Sequence, residues 1–190
     1  MLEKISDSIA FYLIKNRVLD IEKRELYTYG IEVILLNGSI LLSMLIISLL
    51  LDELIHYLFF AAVFCSLRIT AGGYHARTAG RCFLISNGIF LLSVLGKRFL
   101  LLFDVPEIIL VLGILSIIGI FLTGPVERQQ EMVSIEKQHR HKKKLNIILL
   151  CNLILLIVLY VIDSKYYVTV TISLLLVKLL QGRKFRRKAL

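Results

Sequence analysis

With 57% hydrophobic residues, 19% charged residues and a mean hydropathy of +0.80, this 190-residue chain is too apolar for a domain surrounded by water. The formal charge of +9 would suggest a nucleic-acid partner in a soluble protein, but 19 of the 23 Lys and Arg lie in four short stretches between or beyond apolar blocks, which argues against one. Three Cys without regular spacing, two Pro and no Trp exclude a disulfide-stapled secreted module, a collagen-like chain and a zinc finger.

Leu2, Ile5, Ile9, Tyr12 and Leu13 recur at helical spacing opposite Lys4, Asp7, Ser8 and Lys15. Residues 1–32 are therefore expected to form an amphipathic cytoplasmic helical region, its apolar stripe turned either to lipid headgroups or to the rest of the protein. Glu3, Asp7, Asp20, Glu22 and Glu25 interrupt it and no small-residue cleavage site follows an apolar core, so it lacks the pattern of a secretory signal. Residues 33–51 then run for nineteen positions without a charge, enough for a helix rising 1.5 Å per residue to cross about 30 Å of hydrocarbon. Further blocks at 54–67, 83–95, 108–123, 145–162 and 166–180 bring the count to about six spans. The second and third blocks have apolar cores of only 14 and 13 residues, so re-entrant segments and a total of four or five spans stay open. The expected fold is all-α, a polytopic transmembrane helical bundle occupying 1–190 as one membrane domain.

Charge orients the bundle. With an even number of spans, the stretches on the N-terminal side carry five Lys or Arg in 1–32, three in 68–82, six in 124–144 and five after 181, against zero at 52–53, two at 96–107 and one at 163–165. Lys178 sits near the end of the last span. The positive-inside rule then places both termini, the 68–82 loop, the basic 124–144 loop and the basic 181–190 tail in the cytoplasm of a multi-pass cell-membrane protein. Residues 183–188 read as a membrane anchor, with no recognition fold around them to suggest nucleic acid.

Chemistry concentrates in 68–82, Arg-Ile-Thr-Ala-Gly-Gly-Tyr-His-Ala-Arg-Thr-Ala-Gly-Arg-Cys. Gly72 and Gly73 allow a sharp turn and close backbone approach just before His75, and Gly80 offers a second bend before Cys82. Residues seven apart on a straight helix are separated by roughly 10.5 Å along its axis, so His75 and Cys82 can meet only if Thr78-Ala79-Gly80 bends or unwinds. Given that bend, His75 could accept the Cys82 proton, Arg77 and Arg81 would favour the thiolate, and amides near the glycines could stabilise an oxyanion. A Cys can equally be a small hydrophobe and a boundary His a satisfied hydrogen-bonder. Cys65 and Cys151, inside apolar blocks without a nearby His, read as packing, and His56 reads as an interfacial residue. His139 and His141 belong to a charged run and are expected to be exposed.

The segment resembles the accessory gene regulator B (AgrB) family of membrane-embedded cysteine endopeptidases. The resemblance rests on Arg68, Gly72-Gly73-Tyr74-His75-Ala76 and Cys82, and more loosely on Gly-Pro-Val at 124–126 and the basic Lys142-Lys143-Lys144 run. It implies that His75 and Cys82 are the catalytic pair, that Arg68, Gly72 and Gly73 support them, and that the substrate is a small amphipathic precursor peptide with an acidic C-terminal tail. Cys82 would attack the scissile carbonyl, His75 would protonate the leaving amine, and the thioester would pass to water or to a nucleophile of the peptide itself, giving a linear product or a cyclic thiolactone signal. No cofactor or metal is expected, since His-Glu-x-x-His is absent. Asn87, one turn and a residue beyond Cys82, is a candidate to orient His75 or else a helix-contact residue, while Glu32 and Glu127 are interfacial by default. Arg140, Lys142, Lys143 and Lys144 would attract anionic lipid or the acidic tail. The alternative from another class is a transporter or receptor without protease activity, and association with a second copy stays open.

Overall fold

The computed structural model describes residues 2–16, 20–71, 78–103, 105–125 and 135–182. Among them are seven α-helices: α1 (Leu2–Lys15), α2 (Arg24–Leu50), α3 (Leu54–Ala71), α4 (Ala79–Leu100), α5 (Pro106–Thr123), α6 (Ile135–Val161) and α7 (Tyr167–Gly182), with a short 3-10 turn at Ile21–Lys23. No strand occurs among the described residues. Five of the helices, α2 to α6, are long and apolar enough to cross a membrane, and α7 is a shorter apolar helix. The chain is thus a polytopic helical bundle of five to six spans with an N-terminal helix.

Helices overran the expected blocks because charged and polar residues at span ends stay helical. α2 starts at Arg24, inside the stretch expected to lie wholly outside the first span. α3 and α4 reach 18 and 22 residues, so neither of the two short apolar cores is a re-entrant stub. Lipid explains the choice of helix over any other structure, since hydrocarbon satisfies no backbone N–H or C=O. It even overrides local preference: Val168-Thr169-Val170-Thr171-Ile172 is β-branched throughout, yet lies in α7.

α7 is the axis of the bundle and packs on α3, α4, α5 and α6. Val168, Thr169, Val170, Thr171, Ser173 and Leu174 are all buried, whereas Leu50 on α2 and Leu122 on α5 are 80% and 77% exposed, as lipid-facing residues should be. Helices gain little from apolar burial when the solvent is itself apolar, so close packing must hold them. α5 presents Gly113 and Gly119 to its neighbours: a Cβ on Gly113 would lie 2.8 Å from Leu156 Cδ2 and 2.9 Å from Thr171 Oγ1, and one on Gly119 would lie 2.9 Å from Lys178 Cε. The α5 end is sealed from α7 too, where Lys178 Nζ donates to Gly119 O at 2.6 Å and also to Thr123 Oγ1. Lys178 is therefore a capping residue for the carbonyl end of a neighbouring helix.

Two turns between helices are built alike. Leu51 closes α2, Asp52 adopts φ 57°, and the amides of Asp52 and Glu53 return to Leu49 O and Ser48 O at 3.4 and 2.7 Å. After α6, Asp163 adopts φ 53°, and the amides of Asp163 and Ser164 return to Tyr160 O and Leu159 O at 3.1 and 3.0 Å. Both are Schellman closures with Asp at the left-handed position that glycine usually fills. They make the α2–α3 and α6–α7 connections short and rigid.

α1 lies against α2, held by the Arg24 guanidinium, which donates to both Asp7 carboxylate oxygens at 2.8 to 3.1 Å. Its bundle-facing side is small, with Ser6 and Ala10 buried. Ile5, Ile9 and Tyr12 of the apolar stripe remain exposed, which removes packing against the bundle as the explanation for them. An apolar helical stripe left outside the protein suits the headgroup boundary of a bilayer.

Substitution at glycines separates packing from propensity. Gly113→Ala should destabilise the protein by about 1–3 kcal/mol through overpacking against Thr171, seen as a lower Tm in detergent. Gly38→Ala on α2, where nothing lies within 4 Å of the added carbon, should leave Tm unchanged or raise it, because Ala is the better helix former.

Candidate active site

Cys82 occupies the first turn of α4. Thr78 is the N-cap, extended at φ −129° and ψ 148°, and its Oγ1 accepts from the Arg81 amide at 3.4 Å while its carbonyl accepts from the Cys82 amide at 3.0 Å. The expected interruption between His75 and Cys82 is thus present, but it falls at Thr78. Gly80 is part of the helix, so the second bend expected there is absent: the Thr78 hydroxyl caps the first turn and the chain is already helical at Gly80. The Cys82 thiol is half-buried at the edge of the core, at a helix end whose unpaired amides favour negative charge.

Arg68 comes to the same place from the last turn of α3. Its guanidinium lies 5.7 Å from the Phe64 ring centre and within electrostatic range of both Cys82 and Cys65. Two of the expected site residues, fourteen positions apart in sequence, therefore lie at the same end of the bundle, within electrostatic reach of each other. His75, Gly72, Gly73 and Arg77 lie outside the described residues, as do Glu127 and the 183–190 tail.

Asn87 is buried one turn deeper than Cys82. Its Oδ1 accepts from Ser43 Oγ at 2.8 Å and its Nδ2 donates to Phe83 O at 2.9 Å, so its amide joins α4 to α2. Glu32 is half-buried on α2. Arg140 and Lys142, Lys143 and Lys144 are exposed on the first turns of α6, which extends through the expected basic loop and becomes buried at Leu145. His139 and His141 are exposed as expected. Cys65 is half-buried, while Cys151 is exposed on the outside of α6 and packs less than its apolar block suggested, because that block faces lipid on most sides. Among the described residues no three His, Cys, Asp or Glu side chains group so as to hold a metal ion.

Family comparison matches residues 6–181 to Accessory gene regulator B, nearly the whole chain and all of the segments just described. The chain belongs to the AgrB family. No curated protein and no solved structure matches it. AgrB membership makes it a membrane-embedded protein that takes part in processing a precursor peptide, in association with quorum sensing, and the long apolar helices make it a multi-pass protein.

The opposite end of this AgrB bundle holds a polar cluster that sequence reasoning missed. His56 is fully buried and not interfacial. Ser93 Oγ donates to Phe90 O at 2.6 Å and so accepts from His56 Nε2 at 2.9 Å, while the Thr169 hydroxyl donates to His56 Nδ1 at 2.8 Å. That network assigns the proton to Nε2. One turn outward, Glu53 accepts from Lys97 Nζ and, at 3.3 Å, from Arg98 Nε, and Lys97 lies 5.9 Å from the Tyr166 ring centre. The available signal was ionisable residues at 53, 56, 97 and 98 beside otherwise apolar blocks, which in a membrane protein call for named partners.

Burial pushes the Glu53 carboxyl up, but the Lys97 and Arg98 cations outweigh it and hold the group below the usual carboxylate range. A depressed folded value contributes stability that is complete above the ordinary carboxylate pKa and lost as pH falls through the folded one. The Tm in detergent should therefore fall on acidification below about pH 4, and Glu53→Gln should show a lower Tm at neutral pH together with a weaker acid dependence.

Proposed function

We propose that this protein is a cysteine endopeptidase that removes the C-terminal tail of a small precursor peptide. Its reading as an enzyme rests on family membership over residues 6–181, and what supports Cys82 as the nucleophile is its place in the first turn of α4, within electrostatic reach of Arg68. In this reading His75 takes the Cys82 proton. The thiolate adds to the scissile carbonyl, Arg68 and the amides near Gly72 and Gly73 offset the charge on the oxygen, and collapse of the adduct breaks the peptide bond as His75 protonates the leaving amine. A thioester between Cys82 Sγ and the precursor core remains.

The thioester is then captured. A thiol or hydroxyl of the bound peptide has a high effective concentration there, so attack from within the peptide can outrun hydrolysis and close a thiolactone or lactone ring. Burial of the thiol at the core edge supports that route by limiting water near the ester. The cations of Arg140 and Lys142 to Lys144 attract the acidic tail and anionic headgroups. Both termini, the glycine-rich segment and the basic start of α6 face the cytoplasm in this reading, supported by the distribution of Lys and Arg, and the exposed stripe of α1 rests in the headgroup region.

Cys82→Ala and His75→Ala should each abolish tail removal by purified protein while leaving its yield and Tm in detergent near wild type; normal cleavage by either would remove the assignment. For orientation, cysteines introduced at Lys142 and at Ser164 should respond differently to an impermeant thiol reagent added to intact cells. Labelling at Ser164 and protection at Lys142 is the expected pattern, and the reverse would invert the topology.

A further inference from the structure

Gln181, on the last turn of α7, is 3% exposed, and the two ends of its amide are in different situations. Nε2 donates to Ala71 O at 3.4 Å and to Gly124 O at 3.3 Å, tying together the carbonyl ends of α3 and α5. Gly124 ends α5 at φ 66°, the left-handed region, so its carbonyl is turned by a backbone conformation that few other residues would adopt. These two acceptors fix the amide, since a flip would set Oε1 against both carbonyl oxygens. Oε1 is left buried with no hydrogen-bond partner among the described residues.

Interiors seldom keep such an atom without a use, because a desolvated acceptor lacking a donor is costly. Its position suggests the use. Ala71 follows Arg68 by three residues, less than one helical turn, and Arg68 is the α3 residue within range of Cys82. The free oxygen therefore lies at the same end of the bundle as the candidate nucleophile. Lys178, one turn earlier on α7, is engaged by Gly119 and Thr123, so the group that α7 offers here is a neutral acceptor.

We propose that Gln181 Oε1 is a substrate-binding group that accepts a hydrogen bond from a backbone N–H of the precursor peptide near its cleavage site. This rests on the reading of the protein as a precursor-peptide endopeptidase. A peptide drawn from water toward a half-buried thiol loses hydration of its amides, and a preformed acceptor replaces what one of them loses. A main-chain donor is the chemical match: every peptide carries one, whereas a cationic side chain would need a charged partner to be desolvated there.

The test separates binding from cleavage by using the Cys82→Ala protein in lipid nanodiscs and a synthetic precursor peptide whose amides around the cleavage site are replaced one at a time by esters. One ester position should weaken binding about tenfold, the usual scale for leaving a buried partner unpaired. Adding Gln181→Lys, which keeps a donor for the two carbonyls and removes the acceptor, should weaken binding of the all-amide peptide about tenfold and reduce the ester effect at that position to about twofold or less. Equal ester effects with and without Gln181 would overturn the proposal. So would an ester scan on the protein retaining Gln181 in which no position matters, a result that needs no Gln181 variant to fold. Cleavage by the Cys82→Ala protein would count against the nucleophile alone, since binding is read independently.

Discussion

Hydrocarbon supplies no hydrogen bonds, and α7 meets that constraint under the hardest conditions. At 16 residues and about 24 Å, it is shorter than the bilayer core, and it is packed by four other helices. Its interior carries Thr169, Thr171 and Ser173, all buried. Each must find its partner within the protein: Thr169 on His56, Thr171 on Ile109 O at 3.4 Å and Ser173 on Thr169 O at 2.8 Å. Individual bonds of this kind contribute only about 0.6 kcal/mol on average in membranes. Their stronger effect is to exclude other rotations of α7, which would bury these groups unpaired.

The two ends of the bundle follow from that arrangement. At one end, the tight Schellman turn after α2 delivers Glu53 to Lys97 and Arg98, and His56 on α3 links α4 to α7 through Ser93 and Thr169. At the other end, Lys178 and Gln181 close the carbonyl ends of α5 and α3. The start of α4 is fixed by Thr78 and by the Asn87–Ser43 contact a turn below. Cys82 is therefore held at the end of α4 opposite Lys97 and its polar cluster. As the proposed nucleophile, Cys82 would meet a peptide at the boundary between polar and apolar surroundings, where an amphipathic substrate would sit.

The chain's apolar blocks were legible because Leu and Ile runs broken by clustered charges leave few alternatives to spans. Span ends were not, since Arg24, Arg68 and Lys97 continue their helices by reaching polar partners or interface with long side chains. Cys82 stood out through its residue type and its spacing from His75, and Arg68 through the resemblance to the AgrB family. His56 did not, because its two partners lie 37 and 113 positions away, and Gln181 did not because it meets α3 across 110 positions. Local periodicity reports which side of a helix is apolar and carries no information about which distant hydroxyl or carbonyl will face a polar residue. Asn87 shows the same limit: its spacing from Cys82 allowed a catalytic or a packing role, and only the contact with Ser43 reveals its tie to α2.

Covalent capture of the precursor is the step on which the account stands. Purified protein in lipid vesicles, mixed with a synthetic precursor peptide and quenched in acid within the first turnover, should yield an intact mass equal to the protein plus the precursor core without its tail. The adduct should map to Cys82 and disappear on treatment with hydroxylamine, which cleaves thioesters. Replacing the nucleophile within the peptide should prolong its life if ring closure is the normal fate. Rapid tail release with no adduct at Cys82 at any quench time, or full activity of Cys82→Ser, would contradict the account.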